Sequence, residues 1–267
     1  EKSMITLSSL IKYFHQGSAN EILAIDDVTL KVEEGDFITI IGSNGAGKSS
    51  LLNCIAGTYP IESGKIEIGD QDITQWPEFK RAKLIARVFQ DPLLGTCAHA
   101  SIEQNLALAY KRGKKRGMGF GVKSRDRSFF KQELQQLGLG LENRLLDTAG
   151  LLSGGQRQAL TMLMATLVKP EVLLLDEHLA ALDPKTAQQV LDLTQEIVTQ
   201  KKLTTLMVTH QMKHAIQLGN RLIMLHQGKI IFDARGEEKS KLTVNDLLSK
   251  FYAVQGEELA DDKMLLA

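Results

Sequence analysis

The chain has 267 residues, 43% of them hydrophobic and 24% charged, which is the composition of an ordinary globular protein. Lysine plus arginine equals aspartate plus glutamate, at 32 each, so the overall charge indicates no nucleic acid or other polyanionic partner. Cys54 and Cys97 are too few for a disulfide framework or a zinc ligand set, which predicts a reducing, cytoplasmic setting. No apolar run approaches the roughly 18 residues that a spanning helix needs, so the chain itself is not expected to cross a membrane.

The predicted elements begin with strands. The segments "SMITLSSLIKYF" and "AIDDVTLKV" are rich in β-branched residues and roughly alternating, with a turn between them at residues 17–20. "GDFITIIG" is nearly continuous in apolar residues, which is typical of a strand buried on both faces. A glycine-rich turn, a helix and a further edge strand, "GKIEIGDQDI", are predicted to follow.

Helical patterns replace strand patterns between residues 91 and 166, as in "SIEQNLALAY" and "FFKQELQQLGL". Residues 111–127, between these two helices, are basic and glycine-rich and predict a flexible surface loop. Two interpretations of this loop stay open. It is either a solvated segment or a contact with anionic lipid headgroups.

Strand patterns return in "EVLLLDE", "TTLMVTH" and "RLIMLHQGKIIF", with helices between them. Strands separated by helices predict an α/β fold with a mostly parallel sheet. A short helix, "VNDLLSKF", is predicted near the end of the chain.

These patterns predict one domain with an inserted subdomain. Residues 1–90 and 167–252 are expected to form the α/β core, and residues 91–166 a helical subdomain that buds from its sheet. Residues 253–267 are expected to form an acidic tail that is frayed after Gly256.

The segment "GSNGAGKS" at residues 42–49 matches the phosphate-binding pattern G-x-x-x-x-G-K-[ST], between a predicted strand and a predicted helix. Its glycines allow successive N–H groups to converge on phosphate oxygens, and the helix N-terminus adds partial positive charge. Lys48 is expected to reach the β- and γ-phosphates, and the Ser49 hydroxyl to join a Mg²⁺ shell. The predicted nucleotide-binding set here is Gly42, Ser43, Asn44, Gly45, Ala46, Gly47, Lys48, Ser49 and Ser50.

Two carboxylates, Asp176 and Glu177, directly follow the apolar residues 172–175. Burying such a strand end is costly unless a cation lies beside it. In P-loop proteins the aspartate that ends a second strand holds Mg²⁺, so Asp176 is the expected metal ligand and its cation is expected to arrive with ATP. Glu177 projects differently and is the expected catalytic base that polarises the attacking water. The alternative for this pair is a helix N-terminal cap.

The segment "LLSGGQRQAL" at residues 151–160 contains LSGGQ, which resembles the signature of ATP-binding cassette (ABC) ATPases. Ser153, Gly154 and Gly155 form a second predicted anion-binding nest at a helix start, and Gln156 completes the set. A second nest is redundant within one site, but it is useful if it closes over nucleotide held by another copy. The resemblance implies such a head-to-tail dimer around two ATP molecules. The local alternative is that Ser153 is only a helix N-cap.

Other motifs of this family occur in the expected order. Gln90 resembles the Q-loop glutamine, which implies that it senses Mg²⁺ and links the site to a transmembrane partner. Residues 180–183, "AALD", resemble the D-loop, and His210 resembles the switch histidine that contacts the γ-phosphate, which adds it to Glu177 and Lys48 as catalytic. Phe14 matches the aromatic residue that stacks on adenine, with Tyr13 as the second choice.

The sequence departs from the family pattern after the carboxylate pair. His178 and Leu179 stand where most members have proline and threonine, and "AALD" replaces the common "SALD". Asp-Glu-His raises a zinc site as an alternative, but adjacent strand residues point to opposite faces. We interpret His178 as a variation within the family rather than as a chemical group.

The resemblance implies a P-loop NTPase core with a mostly parallel sheet, an antiparallel β subdomain and an inserted α-helical subdomain. It also implies an ATPase, with ATP and Mg²⁺ as cofactors, that drives transport through transmembrane permease subunits from the cytoplasmic face of the inner membrane. The segment "RLLDTAG" lacks an element found in many exporters, which favours an importer with an extracytoplasmic solute-binding protein. The weaker resemblance of "DEHLAALDP" favours amino-acid-like solutes.

Two alternatives are kept. A soluble ABC ATPase of DNA repair or translation would usually carry two cassettes, a long coiled-coil insertion or zinc-binding cysteines, and this sequence contains none of these. A P-loop GTPase would need a base-reading N-K-x-D segment, which is also absent from the sequence, and would leave LSGGQ unexplained.

Overall fold

The computed structural model describes residues 3–114 and 122–265, except for the side chains of Ser3 and of residues 255–265. In chain order the elements are β1 (Ser3–Phe14), β2 (Ile22–Glu33), β3 (Phe37–Gly42), α1 (Lys48–Ala56), β4 (Ser63–Ile68), β5 (Gln71–Asp72), α2 (Glu78–Arg81), β6 (Ile85–Val88), α3 (Ile102–Tyr110), α4 (Ser124–Gln135), α5 (Gly154–Thr166), β7 (Val172–Asp176), α6 (Pro184–Lys201), β8 (Thr204–Val208), α7 (Met212–Gln217), β9 (Arg221–His226), β10 (Lys229–Arg235), α8 (Gly236–Ser240) and α9 (Val244–Leu265). Single 3₁₀ turns at Leu141–Asn143 and Ala149–Leu151 precede α5.

The first sheet is antiparallel, in the order β2-β1-β4-β5. The predicted β1–β2 turn is confirmed, because residues 15–21 connect the two strands. The prediction of a single edge strand at residues 64–73 is wrong. A turn at Gly69, where φ is +56°, divides the segment, so that β4 lies inside the sheet and only the two-residue β5 lies at its edge.

The second sheet, in the order β10-β9-β3-β8-β7-β6, is parallel except for β10. The α/β fold class is therefore confirmed. Strand β6 was not expected from the sequence, because an arginine, Arg87, interrupts its four residues. Since β3, β7 and β8 are parallel neighbours, their carboxyl ends share one edge of the sheet. Ligands of open α/β sheets bind at such an edge.

Two hydrophobic cores lie on opposite faces of this sheet. One fills the space between the two sheets and contains α1, whose Leu51, Leu52 and Ile55 are completely buried. The other joins α5 and α6 to the helices that follow β6, and Phe130 of α4 is its largest fully buried side chain. Strand β3, which leads into the loop at residues 43–47, places Ile38 and Ile40 in the first core and Phe37 in the second, while Ile41 packs in a third, smaller cluster.

Helices dominate the described residues between β6 and β7. The β-pairing among them is an isolated bridge between Ser101 and Thr148. Packing of α3 against α4 and α5 buries Ile102, Leu106 and Leu134. The proposed subdomain limits, 91–166, stay a prediction.

The predicted loop at residues 111–127 is wrong at its second end, whereas residues 111–114 form turns and a bend, as expected of a loop. Arg112 donates hydrogen bonds to the carbonyls of Ala165 and Val168, so it is tied to the end of α5. At the other end α4 begins at Ser124, where the Asp126 carboxylate accepts the backbone N–H of Lys123 at 3.0 Å and caps the helix. The central part of the predicted loop, residues 115–121, lies outside the described residues.

The acidic tail also differs from expectation. Helix α9 does not end after "VNDLLSKF" but continues to Leu265, so the helix includes most of residues 253–267. The residues concerned, "EELADDKML", contain strong helix formers such as glutamate, leucine, alanine and lysine. No helix among residues 3–114 and 122–265 is both long and apolar enough to span a bilayer.

His178 lies in the core rather than at the sheet edge. Its side chain is 1% exposed, and its Nε2 lies 3.2 Å from the Thr194 hydroxyl on α6. Because Thr194 donates its own hydrogen to the Val190 carbonyl, it must accept from His178, which places the proton on Nε2. Burial, with a smaller effect of His214, lowers the pKa of His178 from 6.5 to about 4.

This neutral histidine makes stability depend on pH. The unfolded chain takes up the His178 proton near its ordinary pKa, whereas the folded chain does so only near about 4. The contribution of His178 to the free energy of unfolding is therefore fully present at neutral pH and is lost as the pH falls. The loss is about 2 kcal/mol between about pH 7 and pH 5. We expect His178→Met to remove this part of the loss, as measured by urea unfolding of both chains at each pH.

The matched control is His99→Gln, which changes an exposed histidine and is expected to leave the pH dependence unchanged. If His178→Met loses as much stability as the parent between about pH 7 and pH 5, His178 does not stay neutral in the folded chain.

Candidate active site

Residues 43–47 connect β3 to α1 and form the phosphate-binding loop that the sequence predicts. Gly47 caps α1 with φ of +95°, and a Cβ at this position would lie 2.3 Å from the Ala24 carbonyl oxygen of β2. Any larger residue would therefore push the loop away from the antiparallel sheet. No described side chain caps α1, so its first N–H groups remain available to an anion.

Lys48 lies inside this loop. Its side chain is buried, and Nζ donates to the carbonyl oxygens of Gly42 and Ser43, both at 2.9 Å. Burial lowers the pKa of Lys48, while the charges of Glu177 and Asp176 act in the opposite direction. The ammonium group is thus held over the loop, close to both carboxylates.

Asp176 ends β7 and is 9% exposed. Its Oδ1 accepts a hydrogen bond from the Ser49 hydroxyl at 3.0 Å, which brings the two predicted Mg²⁺ ligands together. Its Oδ2 pairs with Arg87 Nη2 at 3.0 Å. The expectation that the cation beside Asp176 comes only with ATP is therefore wrong, since the chain supplies one itself.

Arg87 contacts the predicted metal ligand Asp176, and sequence reasoning missed it. Strand β6 pairs with β7 in a register that sets Arg87 beside Leu174. Because side chains alternate along a strand, Leu174 and Asp176 share a face, and Arg87 reaches the carboxylate from the neighbouring strand. The signal that could have found it was a cation in a short apolar segment, "IARV", just before Gln90.

Glu177 and His210, the predicted base and switch histidine, are in contact. His210 Nδ1 lies 3.0 Å from Glu177 Oε1, and the two side chains are 49% and 17% exposed. Glu177 has φ of +45°, an uncommon conformation for a residue other than glycine, and its N–H continues the sheet by donating to the Val208 carbonyl. The turn after β7 thus aims Glu177 away from Asp176 and toward the segment after β8.

A cavity of about 470 Å³ opens beside these strand ends. Gln90, which is exposed, lines it together with Ser49, Asp176 and Arg87. A hydroxyl, a carboxylate and an amide oxygen are donors that suit Mg²⁺, which commonly takes few protein ligands and completes its shell with phosphates and waters. The residues present therefore fit the predicted metal.

Phe14 lies at the end of β1 next to Ile22 of β2. Its ring meets that of Tyr59 edge-on, with centroids 5.2 Å apart, and Lys12 Nζ lies 5.5 Å from its centroid. The backbone N–H of the neighbouring Tyr13 donates to the Glu62 carboxylate at 2.9 Å. Stacking of Phe14 on adenine stays a prediction.

The signature residues are not brought to the phosphate-binding loop of the same chain. Ser153 caps α5. Its hydroxyl accepts the backbone N–H of Gln156 at 3.3 Å, and the Gln156 side-chain oxygen accepts the backbone N–H of Ser153 at 3.2 Å. Ser153 and Gly154 are exposed, and Gly155 packs so closely on α6 that a Cβ would lie 2.2 Å from Thr186 Cγ2. Residues 153, 155 and 156 line a cavity of about 550 Å³ that does not include Ser49.

The D-loop residues precede α6. Asp183 accepts the Thr186 N–H at 3.1 Å and caps this helix, with Pro184 in its first turn. Ala180 and Ala181 are exposed, and Ala181 lines the cavity beside Asp176. The segment therefore connects the carboxylate end of β7 to the start of α6.

Comparison with known proteins agrees with this arrangement. Residues 25–180 match the ABC transporter family. The chain is 44% identical over 252 residues to a tyrosine transport ATP-binding protein of Clostridioides difficile, covering 94% of this chain and 100% of that protein. It is 36% identical to a methionine import ATP-binding protein of Oceanobacillus iheyensis over 85% of this chain, which spans 64% of that protein.

A solved structure with a similar fold is a dimeric ATP-binding cassette in a post-hydrolysis state, bound to ADP and phosphate. It superposes on this chain with a TM-score of 0.73 at 27% sequence identity, and the matched region covers 87% of this chain and 98% of the cassette chain. Since both the family match and the relatives span most of the chain, this protein belongs to the ABC transporter family and is an ATP-hydrolysing, ATP-binding subunit of that family.

Proposed function

We propose that this subunit binds ATP with Mg²⁺ at the shared edge of β3, β7 and β8 and uses its hydrolysis to drive solute import through transmembrane permease subunits. The observation that supports this most directly is the meeting of three separate segments: Ser49 with Asp176 at 3.0 Å, and Glu177 with His210 at 3.0 Å. The phosphate-binding loop, the carboxylate pair Asp176–Glu177 and His210 lie far apart in sequence and meet at this edge.

Residues 42–50 are proposed to bind the triphosphate. The uncapped N-terminus of α1 offers N–H groups and partial positive charge, and Lys48 can exchange its two carbonyl partners for phosphate oxygens. Ser49, Asp176 and Gln90 are the proposed Mg²⁺ ligands, directly or through water. When bound, the metal would offset charge on the β- and γ-phosphates.

Glu177 is proposed to accept the proton of the attacking water. A carboxylate only accepts hydrogen bonds, so in the observed contact His210 must carry its proton on Nδ1, and a neutral His210 then has an acceptor at Nε2. His210 can donate to a γ-phosphate from Nε2 only as imidazolium, or after its contact with Glu177 has opened. We therefore propose that His210 orients Glu177 before nucleotide binds and moves to the phosphate afterward.

A second copy of the chain is proposed to complete each site. Ser153 and Gly154 are exposed at the start of α5, and Ser153 and the buried Gly155 line a different cavity from Ser49. The dimeric cassette with 27% identity supports this proposal. The capping bond between Ser153 and Gln156 then pre-orients the N–H groups that would face the partner's nucleotide.

The transported solute is proposed to be an amino acid. The relative with 44% identity is a tyrosine transport ATP-binding protein, and another relative is a methionine import protein. An importer also implies an extracytoplasmic solute-binding protein and a peripheral position on the cytoplasmic face of the inner membrane. The relatives reported above give no support to the alternative role in DNA repair or translation.

Glu177→Gln should retain ATP binding but lower the ATP turnover rate by at least about 100-fold, because the amide cannot take a proton from water. Since ATP then persists at the interface, the variant should form a stable dimer. Turnover is measured by phosphate release, and dimerisation by light scattering after size-exclusion chromatography with ATP and Mg²⁺.

The matched control is Glu171→Gln, at an exposed glutamate just before β7, and it should behave like the parent. Turnover by Glu177→Gln at the parental rate would show that Glu177 is not the base.

Transport is tested by coexpressing the chain with the permease subunits from the same bacterium, reconstituting the complex in vesicles that contain ATP, and adding the solute-binding protein outside. Uptake of labelled tyrosine should require ATP and be lost in Lys48→Ala, since that variant removes the cation of the phosphate-binding loop. Labelled methionine and spermidine are tested in the same way. ATP-dependent uptake of spermidine without uptake of tyrosine or methionine would contradict an amino-acid substrate while leaving the ATPase assignment intact.

A further inference from the structure

Arg87 occupies a built position beside the proposed metal site. Its side chain is 12% exposed and is held from several directions. Nη1 donates to the Asn53 side-chain oxygen of α1 at 2.6 Å, and Nη2 pairs with Asp176 at 3.0 Å. The guanidinium carbon lies 4.7 Å from the centre of the Phe89 ring.

The contacts of Arg87 connect elements that the nucleotide must also engage. Asn53 belongs to the helix that begins at Lys48, and Phe89 precedes Gln90. Nε of Arg87 is buried without a hydrogen-bond partner among residues 3–114 and 122–254, so the guanidinium keeps unused donor capacity there. A guanidinium is always charged, so this is a permanent cation at the strand edge.

A purely structural ion pair offers a useful contrast. Arg221, whose side chain is 3% exposed, holds both oxygens of Asp233, with a third bond to the Lys31 carbonyl. Arg87 instead takes one oxygen of its carboxylate, and the other belongs to Ser49 of the phosphate-binding loop. Asp176 is thereby shared between the chain's own cation and the proposed Mg²⁺ ligand.

Formal charges indicate what this sharing does. Asp176 and Glu177 contribute −2, Lys48 and Arg87 contribute +2, and the sum at the strand edge is zero. Without Arg87 the sum is −1, at the place where the phosphates of the nucleotide must enter. Among the residues whose side chains the structure describes, Arg87 is the cation that forms an ion pair with Asp176.

We propose that Arg87 is a positioning residue that holds Asp176 in place before the metal arrives and makes nucleotide binding less dependent on Mg²⁺. This inference rests on the proposed Mg²⁺ site. When Mg²⁺ is present, the metal offsets the same carboxylate and Arg87 contributes little to affinity. When Mg²⁺ is absent, Arg87 prevents an uncompensated carboxylate from repelling the phosphates.

The test compares nucleotide affinity with and without the metal. A fluorescent, nonhydrolysable ATP analogue is titrated into the full chain in excess EDTA and in excess MgCl₂. In Arg87→Met the dissociation constant in EDTA should rise about tenfold, while that in MgCl₂ stays within about twofold of the parent. Loss of folding or of loop structure would weaken binding in both conditions alike, which would overturn the proposal.

Three variants sharpen the result. Arg87→Lys keeps the charge and should return the EDTA value to within about threefold of the parent. Arg87→Met combined with Asp176→Asn removes the repelling carboxylate and should relieve the EDTA defect. Arg221→Met is the matched control, because it removes a buried arginine from another ion pair. It should leave the ratio of the dissociation constants in EDTA and in MgCl₂ unchanged.

If Arg87→Met is too unstable to purify, Asn53→Ala removes only the partner of Nη1 and should shift the EDTA value in the same direction by a smaller factor. A parent chain whose ATP hydrolysis does not require Mg²⁺ would contradict the proposed metal site. If hydrolysis by the parent requires Mg²⁺, but the parent and Arg87→Met have the same ratio of dissociation constants in EDTA and in MgCl₂, only the Arg87 assignment is overturned.

Discussion

The carboxylate of Asp176 is the constraint on which the site depends. It lies at the end of an apolar strand, 9% exposed, where an unpaired charge would be costly. The chain resolves this by giving each oxygen a partner, Ser49 on one side and Arg87 on the other. The phosphate-binding loop, β7 and β6 are thereby joined through a single side chain, and the metal proposed to act there must share a carboxylate that is already paired.

The sheet explains why this carboxylate meets the other groups. Parallel pairing of β3 with β8, and of β8 with β7, places Gly42, Asp176 and Val208 at one edge. Glu177 leaves that edge through a left-handed backbone conformation and reaches His210. His178, one residue further, is buried beside Thr194 of α6, on the side of the sheet that α5 and α6 cover. Three adjacent residues thus have three different environments, which is why only the first two are proposed to act on nucleotide.

The sequence reasoning was most reliable where a local pattern had one physical explanation. The buried strands, the loop at residues 42–49 and α1 were predicted because apolar runs and glycine spacing are local signals. It was wrong in two segments where a local signal was overlooked: Gly69 divides residues 64–73, and a helix capped by Asp126 begins inside the predicted basic loop. The hydrogen bonds of Arg112 depend instead on a contact outside its segment, which no local pattern shows. Strand β6 was missed because its four residues show no period.

By itself the sequence determined the class of the protein, because its motifs are short, ordered and specific to nucleotide chemistry. It also determined which carboxylates and which lysine are candidates for the site. Only the tertiary structure decided that Arg87 pairs with Asp176 and that the signature residues lie on a different surface from the phosphate-binding loop. The physical reason is that strand register and helix packing join residues distant in sequence, and no local pattern encodes which cation will face a buried carboxylate.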